Sequence, residues 1–236
     1  MPTKKLKVVI YGGNGFVGTH IAERLSQENV EIVCVSRRGH KPLHLQGQTW
    51  SESVRWCKGD ANSPDPSLLA ESDFVVISIG SPPLPTFSKE SFEQQFNNNG
   101  VTPSNAIRGA DAAGVKSIIL MGAQIPFFAN NKYFAYTKGK NMALECAKEF
   151  ANRSNQHQAF VLQPGAIYGK RYLSNGKPIH LDKLMLPAYK ILPSQFTDIS
   201  RIAERVKRII IDHSEQGSKF TVFNNCLLYT SPSPRD

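Results

Sequence analysis

The sequence is short of several things, and each shortage removes a class of protein. It holds only four cysteines in 236 residues. Cys34, Cys57, Cys146 and Cys226 show neither CxxC nor any metal-type spacing, so no disulfide framework and no metal site is expected. Free thiols in a reducing compartment are the expectation instead. No run approaches the roughly 18 apolar residues that cross a bilayer. The most apolar stretch, from Ile118 to Ala129, is interrupted by Gln124 and Pro126. Negative charge is also scarce: 19 acidic residues face 28 Lys and Arg, a formal net charge of +9. Such an excess suits an anionic partner, whether nucleic acid, an acidic membrane surface or a phosphorylated cofactor. A merely solvated basic surface explains it equally well. The basic residues are scattered, with no Arg-rich tract and no nucleic-acid-binding signature, so no nucleic acid is expected as partner.

What is present alternates. Leu6 to Tyr11 is a β-branched run of the kind that forms a central parallel strand. A helix is expected at Thr19 to Gln27, then strands at Glu31–Ser36 and Val54–Lys58, a short helix at Ser67–Ala70 and a strand at Phe74–Ile79. A long helix from Phe92 to Ala113, broken near Pro103, precedes strands at Ser117–Met121 and Ala159–Gln163, with a helix at Tyr136–Arg153 between them. Asp198 to His213 and Lys219 to Phe223 read as a final helix and strand. This βαβα order predicts an α/β fold with a doubly wound parallel sheet. Residues 170–197, looser in pattern and carrying prolines in apolar stretches, suit a small C-terminal cap over the sheet's edge. Residues 1–225 thus form one expected domain, with no repeat and no internal boundary.

The first strand starts so early that no signal peptide or transit peptide is expected ahead of it. The last eleven residues, CLLYTSPSPRD, match the translation of a transposase adapter used in sequencing libraries. Residues 226–236 are therefore expected to be an artefact and stay out of the fold argument. A natural Ser/Pro-rich tail is the alternative.

Directly after the first strand stands Gly12-Gly13-Asn14-Gly15-Phe16-Val17-Gly18, a GxxGxxG loop leading into a helix. The first glycine permits a tight turn, the second lets a phosphate approach the backbone, and the third lets helix pack on strand. The helix start then offers free N–H groups and a positive dipole end to a pyrophosphate. All seven residues are candidate dinucleotide-binding residues. The end of the second strand bears on which dinucleotide. An acidic residue there would bind the adenosine ribose hydroxyls. The chain instead has Ser36-Arg37-Arg38-Gly39. Two guanidinium groups can clamp a 2′-phosphate, so NADP(H) is expected over NAD(H). Two solvated turn residues are the bland alternative. Asp60 is placed to bind the adenine amino group, or to serve only as a turn residue before Ser63-Pro64. Gly80, after the fourth strand, completes the candidate cofactor-binding set.

These residues resemble the short-chain dehydrogenase/reductase superfamily, in its extended and atypical branches. The resemblance covers nearly all of residues 6–225. It is carried by GGNGFVG, Asp60, Asn99 ahead of AIRGADAAGVK, Tyr136-Thr-Lys-Gly-Lys140 and Pro164-Gly165-Ala166-Ile167-Tyr168-Gly169. VSRRGHKP, followed by Trp50 and then WCKGD, is closest to one atypical subgroup. That subgroup holds the dinucleotide-binding accessory subunit of respiratory complex I and a relative tied to mitochondrial coenzyme Q biosynthesis. The resemblance makes Tyr136 the general acid/base and Lys140 the holder of the nicotinamide ribose, which also depresses the tyrosine pKa. The i,i+4 spacing puts both on one helix face. A Ser or Thr belongs at the end of the fifth strand, but Ala123 stands there. Losing such a donor costs about 2.7–4 kcal/mol, or roughly 10²–10³ in rate, unless Gln124 or a water replaces it. Gln163 also departs from the Arg that relatives often carry before Pro-Gly.

Three readings follow. An NADP(H)-binding accessory, assembly or sensing factor linked to mitochondrial respiratory or ubiquinone metabolism fits the intact loop beside an incomplete triad. An active oxidoreductase or epimerase using Tyr136 and Lys140 is the second. A nucleic-acid or membrane-surface protein rests on charge alone. The segment Leu181 to Leu192, flanked by Lys183 and Lys190, either packs as a cap or meets a lipophilic molecule or a membrane-associated complex. By resemblance the compartment is the mitochondrion, and otherwise the cytoplasm.

Overall fold

Leu6–Tyr11 is β1, and its Val8, Val9 and Ile10 lose all contact with solvent. A strand buried on both faces needs apolar residues at successive positions, and this run supplies them. The computed structural model describes residues 5–125, 134–212 and 218–224. The expected tail at 226–236 and Cys226 lie outside the described residues. Six further strands join β1: β2 (Val30–Ser36), β3 (Val54–Lys58), β4 (Phe74–Ile77), β5 (Ser117–Met121), β6 (Gln158–Gln163) and β11 (Phe220–Asn224). They form one seven-stranded sheet in the order β11-β6-β5-β4-β1-β2-β3, every pairing parallel. The order reverses direction between β1 and β4. Beyond the carboxyl ends of these two strands lies the crevice where sheets of this kind take ligands.

Helices cover both faces. On one, α1 (Phe16–Leu25) and α7 (Ile199–Ile211) pack Ile21, Leu25, Ile202, Val206 and Ile210 against Val8, Ile10 and Ile32. Each such side chain contributes about 1.5–3 kcal/mol when fully buried. Arg24 of α1 donates to Glu204 of α7 at 2.6 Å, and Asp198 caps α7 by accepting from the Ser200 amide. On the other face, α4 (Thr102–Ala112) and α5 (Ala135–Asn152) set Ala106, Ile107, Ala147 and Phe150 against Val9, Val75 and Ile118. Shorter helices α2 (Pro66–Leu69) and α3 (Lys89–Phe96) lie in the connections.

The expected long helix is interrupted near Pro103, on its upstream side. Residues Asn97–Val101 form one wide π-type turn joining α3 to α4, and Pro103 sits in the first turn of α4. A proline ring crowds the carbonyl four residues back, here that of Asn99. Widening the turn just upstream relieves that crowding. The region after β6 also differs in detail. β7 (Ala166–Tyr168) pairs in parallel with β10 (Phe196–Asp198), and β8 (Lys170–Tyr172) with β9 (Pro178–His180) makes a hairpin. α6 (Leu181–Ile191) follows the hairpin, with Pro187 inside it.

Candidate functional site

The glycine loop is built for tightness. Gly12 has φ +82°, and its amide donates to the Val35 carbonyl of β2 at 3.0 Å. A Cβ on Gly18 would fall 2.3 Å from the Gly12 carbonyl oxygen, so α1 can lie this close to β1 only without a side chain there. Gly15, by contrast, is exposed at the N-cap of α1. No side chain caps that helix end. Bare backbone and uncapped N–H groups at a helix start fit a pyrophosphate, so the residues present suit a dinucleotide. Phe16 and Val17 are half-buried at the first turn.

Asn14 ties this loop to the next. Its carboxamide donates to the His40 carbonyl, just past the Arg37-Arg38 turn, while its oxygen is buried without a hydrogen-bond partner among the described residues. Ser36 Oγ accepts from the Gly39 amide at 3.1 Å and shapes the turn. Arg37 and Arg38 are both exposed. Ser36 pairs in register with Lys58 of β3, and Gly39 approaches Lys58 so closely that a Cβ would sit 2.5 Å away. Lys58 thus joins the two arginines in one basic corner. It escaped the sequence reading because strand order, not spacing, brings it there. Asp60 lies at a turn: its carboxylate accepts from the Asn62 amide at 2.9 Å and from the Asn62 side chain at 3.3 Å.

Gly80, Asn99 and Lys140 converge at the other end of the crevice. A Cβ on Gly80 would lie 2.8 Å from Asn99 Oδ1 and 3.4 Å from Lys140 Nζ. Asn99 is fully buried and held by Ser81 and by the Gln95 carbonyl. The wide turn is what puts Asn99 here, and it also brings Gly100 against Gly139 of α5. A Cβ on Gly100 would be 2.8 Å from Gly139 Cα. This glycine crossing holds α5 and its Tyr136 and Lys140 against the π-type turn. The signal was legible as two glycines inside helical patterns, where glycine otherwise costs about 1 kcal/mol.

Lys140 is buried, and its ammonium donates to the Met121 carbonyl at 2.8 Å. Its Nζ stands 5.8 Å from the centre of the Tyr136 ring. Burial lowers the Lys140 pKa to about 8 and raises that of Tyr136 to about 12. The expected depression of Tyr136 is therefore reversed. Desolvation disfavours the phenolate, and the ammonium is engaged with a backbone carbonyl. A phenol with that pKa stays protonated near neutrality, so it is arranged to donate a proton rather than take one. Ala123 follows β5 without a hydroxyl. The next residue, Gln124, donates its amide to the Pro164 carbonyl at 2.8 Å, and its buried Oε1 has no partner among the described residues. Gln163 ends β6, half-buried.

The segment expected as a packed cap is only partly so. Leu184 and Leu192 are 72% and 57% exposed, and Phe87, after β4, is 94% exposed. Among the described residues no helix is long and apolar enough to cross a membrane. Cys34, Cys57 and Cys146 are free thiols.

Comparisons with known proteins accord with this arrangement. The chain is 32% identical over 196 residues to an uncharacterized chloroplastic protein of Arabidopsis thaliana, covering 81% of this chain and 60% of that protein. It is 35% identical over 207 residues to MIOREX complex component 2 of Saccharomyces cerevisiae, covering 84% and 65%. The chain thus spans less than two thirds of the length of these relatives. Among solved structures, it superposes with a TM-score of 0.70 on a short-chain type dehydrogenase/reductase from Mycobacterium ulcerans, at 13% identity, covering 97% and 91% of the two chains. MoeE5 in complex with UDP-glucose and NAD gives a TM-score of 0.67 at 19% identity, covering 92% and 75%. These low identities speak for the fold alone, a Rossmann-type parallel sheet with helices on both faces. The model of the NAD dependent epimerase/dehydratase family matches residues 8–189, and the chain belongs to that family, with a nicotinamide dinucleotide as its cofactor.

Proposed function

We propose that the chain binds NADP(H) in preference to NAD(H) and serves as an accessory, assembly or sensing factor rather than a competent catalyst. The observation that carries this reading is the contrast between a complete glycine cradle and an acid–base corner with Ala123 where a hydroxyl belongs. Gly12 to Gly18 hold the pyrophosphate, with Phe16 and Val17 offering their amides. Arg37 and Arg38, with Lys58 beside them, hold the 2′-phosphate bidentately and by charge. Ser36 shapes their turn, Asp60 faces the adenine, and Gly80 leaves room for the ribose next to Lys140. The assembly role draws on the yeast relative, which is named as a component of a complex. A lipophilic partner draws on the exposed Phe87, Leu184 and Leu192. The mitochondrion as compartment, and ubiquinone or respiratory metabolism as context, rest on the subgroup resemblance, while the plant relative is named chloroplastic. Residues 1–225 act as one domain, 170–197 as its cap.

A second reading is favoured by the Tyr136–Lys140 pair itself: an NADP(H)-dependent oxidoreductase or epimerase. A bound nicotinamide supplies hydride exchange. Lys140 holds its ribose, and Tyr136, protonated near neutrality, donates to a substrate oxygen. Without a second donor at Ala123 that oxygen is held from one side only.

Titration of the purified chain with NADPH and with NADH, followed by nicotinamide fluorescence, tests the first reading. NADPH preference that vanishes in the Arg37→Ala/Arg38→Ala double variant is expected. Equal affinity for both nucleotides would remove the NADP(H) assignment, and binding of neither would remove the cofactor role of the loop.

A further inference from the structure

The pyrophosphate bridge of a dinucleotide carries two negative charges, yet Gly12 to Gly18 contain no cation. Backbone N–H groups and a helix dipole are what the loop itself provides. Basic side chains do gather beside it, from three separate elements. His20 lies one turn into α1, its ring edge-on to Phe16 at 5.3 Å and its Nδ1 donating to the Phe16 carbonyl. His44 sits on the short turn Leu43–Leu45, stacked on Tyr172 of the hairpin with ring centres 3.9 Å apart and planes 3° from parallel. Lys170 Nζ lies 5.1 Å from the centre of that same Tyr172 ring.

The backbone brings this group close to the phosphate end of the loop from two directions. At the root of the hairpin, Gly169 has φ +140°, and a Cβ there would be 3.6 Å from Phe16 Cζ, the first residue of α1. The Gly169 carbonyl accepts from the Leu181 amide at 3.1 Å, which closes the hairpin back on itself. On the other side, the Asn14 bond to the His40 carbonyl fixes the start of the segment that carries His44. Burial, His20 and Lys170 all push the His44 pKa down, and no carboxylate offsets them. Lys41, nearby in sequence, is already paired with Glu52. His44 is thus kept neutral, with a ring N–H to donate, and Lys170 is the cation of the group, on a hairpin whose root meets the first residue of a helix start suited to phosphate.

We propose that Lys170, placed against the Tyr172 ring on which His44 stacks, closes over the pyrophosphate bridge as a cationic roof with His44 as a hydrogen-bond donor beside it, so that the cap hairpin is part of the dinucleotide site. This rests on the dinucleotide reading of the glycine loop. The hairpin then orders with the cofactor, and the roof distinguishes ligands with a diphosphate bridge from those without one, whatever their 2′ substituent.

Three probes separate the terms: NADPH has both the 2′-phosphate and the bridge, ADP-ribose has the bridge alone, and adenosine 2′-monophosphate has the 2′-phosphate alone. Affinities are measured on the full chain by fluorescence and calorimetry. Lys170→Ala is expected to weaken NADPH and ADP-ribose about fivefold and Lys170→Glu about twentyfold, with adenosine 2′-monophosphate unchanged. Lys170→Arg keeps the charge and restores binding, and His44→Gln weakens the same two bridge-bearing ligands. Lys170 is exposed on a hairpin, so these variants retain the fold. Unchanged ADP-ribose affinity in Lys170→Glu overturns the roof while leaving the cofactor reading intact. Equal losses for all three probes overturn it too, because a general surface-charge effect would then explain them. Failure of the unaltered chain to bind NADPH or ADP-ribose removes the cofactor reading and the roof with it.

Discussion

The two ends of the crevice are finished to different degrees. At the nucleotide end a backbone cradle and a basic corner are both in place: Gly12 and Gly18 leave no room for side chains, the Asn14 side chain ties two loops together, and Lys58 joins Arg37 and Arg38. At the nicotinamide end the corner is incomplete. Lys140 spends its ammonium on Met121, Tyr136 is pushed towards protonation, and Ala123 offers nothing. Binding requires the first end and turnover requires the second. A protein can lose the second without losing its ligand, which is why fold and cofactor together do not license a reaction.

Restoring the missing hydroxyl is the strongest way to break this contrast. If the corner is otherwise assembled, Ala123→Ser should raise NADPH-dependent reduction of an aromatic aldehyde or ketone panel by about 10²–10³, the worth of one oxyanion-type donor. NADPH affinity should not change. No gain, with binding intact, would mean that Tyr136 and Lys140 are held for the ribose alone.

Lys140 offers a test by pH. Its folded pKa of about 8 lies below the usual lysine value, so between about pH 8 and 10 the unfolded chain binds the extra proton and stability rises with pH. Below pH 8 both states are protonated and the full cost of burying the ammonium is felt. Lys140→Met removes this dependence. Denaturant unfolding of the two proteins across that range should show the unaltered chain gaining about 2–3 kcal/mol relative to the variant. Tyr136 is present in both and cancels. A constant difference would show that Lys140 is better solvated than its burial implies.

Much of this layout was legible beforehand, and the reason is physical. Central parallel strands must be apolar throughout, so β1 and β5 were found at their ends. The glycine loop showed because three constraints act on three residues within one short stretch. What stayed hidden depends on strand order or on longer-range contact. Lys58 meets Ser36 only because β3 lies beside β2. The strands β7 to β10 have three residues each, too short for alternation to register. The break expected near Pro103 is there, but its form as a wide turn at Asn97–Val101 stayed hidden, since proline marks the neighbourhood of a distortion and not the side on which it is relieved.

The glycine crossing is a smaller lever on the same comparison, because it supports only the nicotinamide end. Gly100→Ala places a methyl 2.8 Å from Gly139 Cα, and backbone cannot give as a side chain does. Overpacking of this kind costs about 1–3 kcal/mol, partly offset by the better helix propensity of alanine. A fall of several degrees in Tm is expected, at about 2–4 °C per kcal/mol for a chain of this size. Adenosine 2′-monophosphate should bind as before. Loss of that binding would show the two ends to be mechanically coupled through the sheet.

The smallest effect probes the tether between the two nucleotide-end loops. Asn14→Ala removes the bond to the His40 carbonyl and frees the turn that carries Arg37 and Arg38. One such hydrogen bond is worth about 1 kcal/mol, so roughly a fivefold loss of affinity is the scale. The loss should fall most on NADPH and on adenosine 2′-monophosphate, which need the arginines placed, whereas NADH, which feels the tether only through the His44 segment, should lose clearly less. An equal loss for NADPH and NADH would mean that Asn14 acts within the glycine loop, shaping the pyrophosphate seat through its own backbone. The basic corner would then be preformed without it, held by Ser36 and by the packing of Gly39 on Lys58.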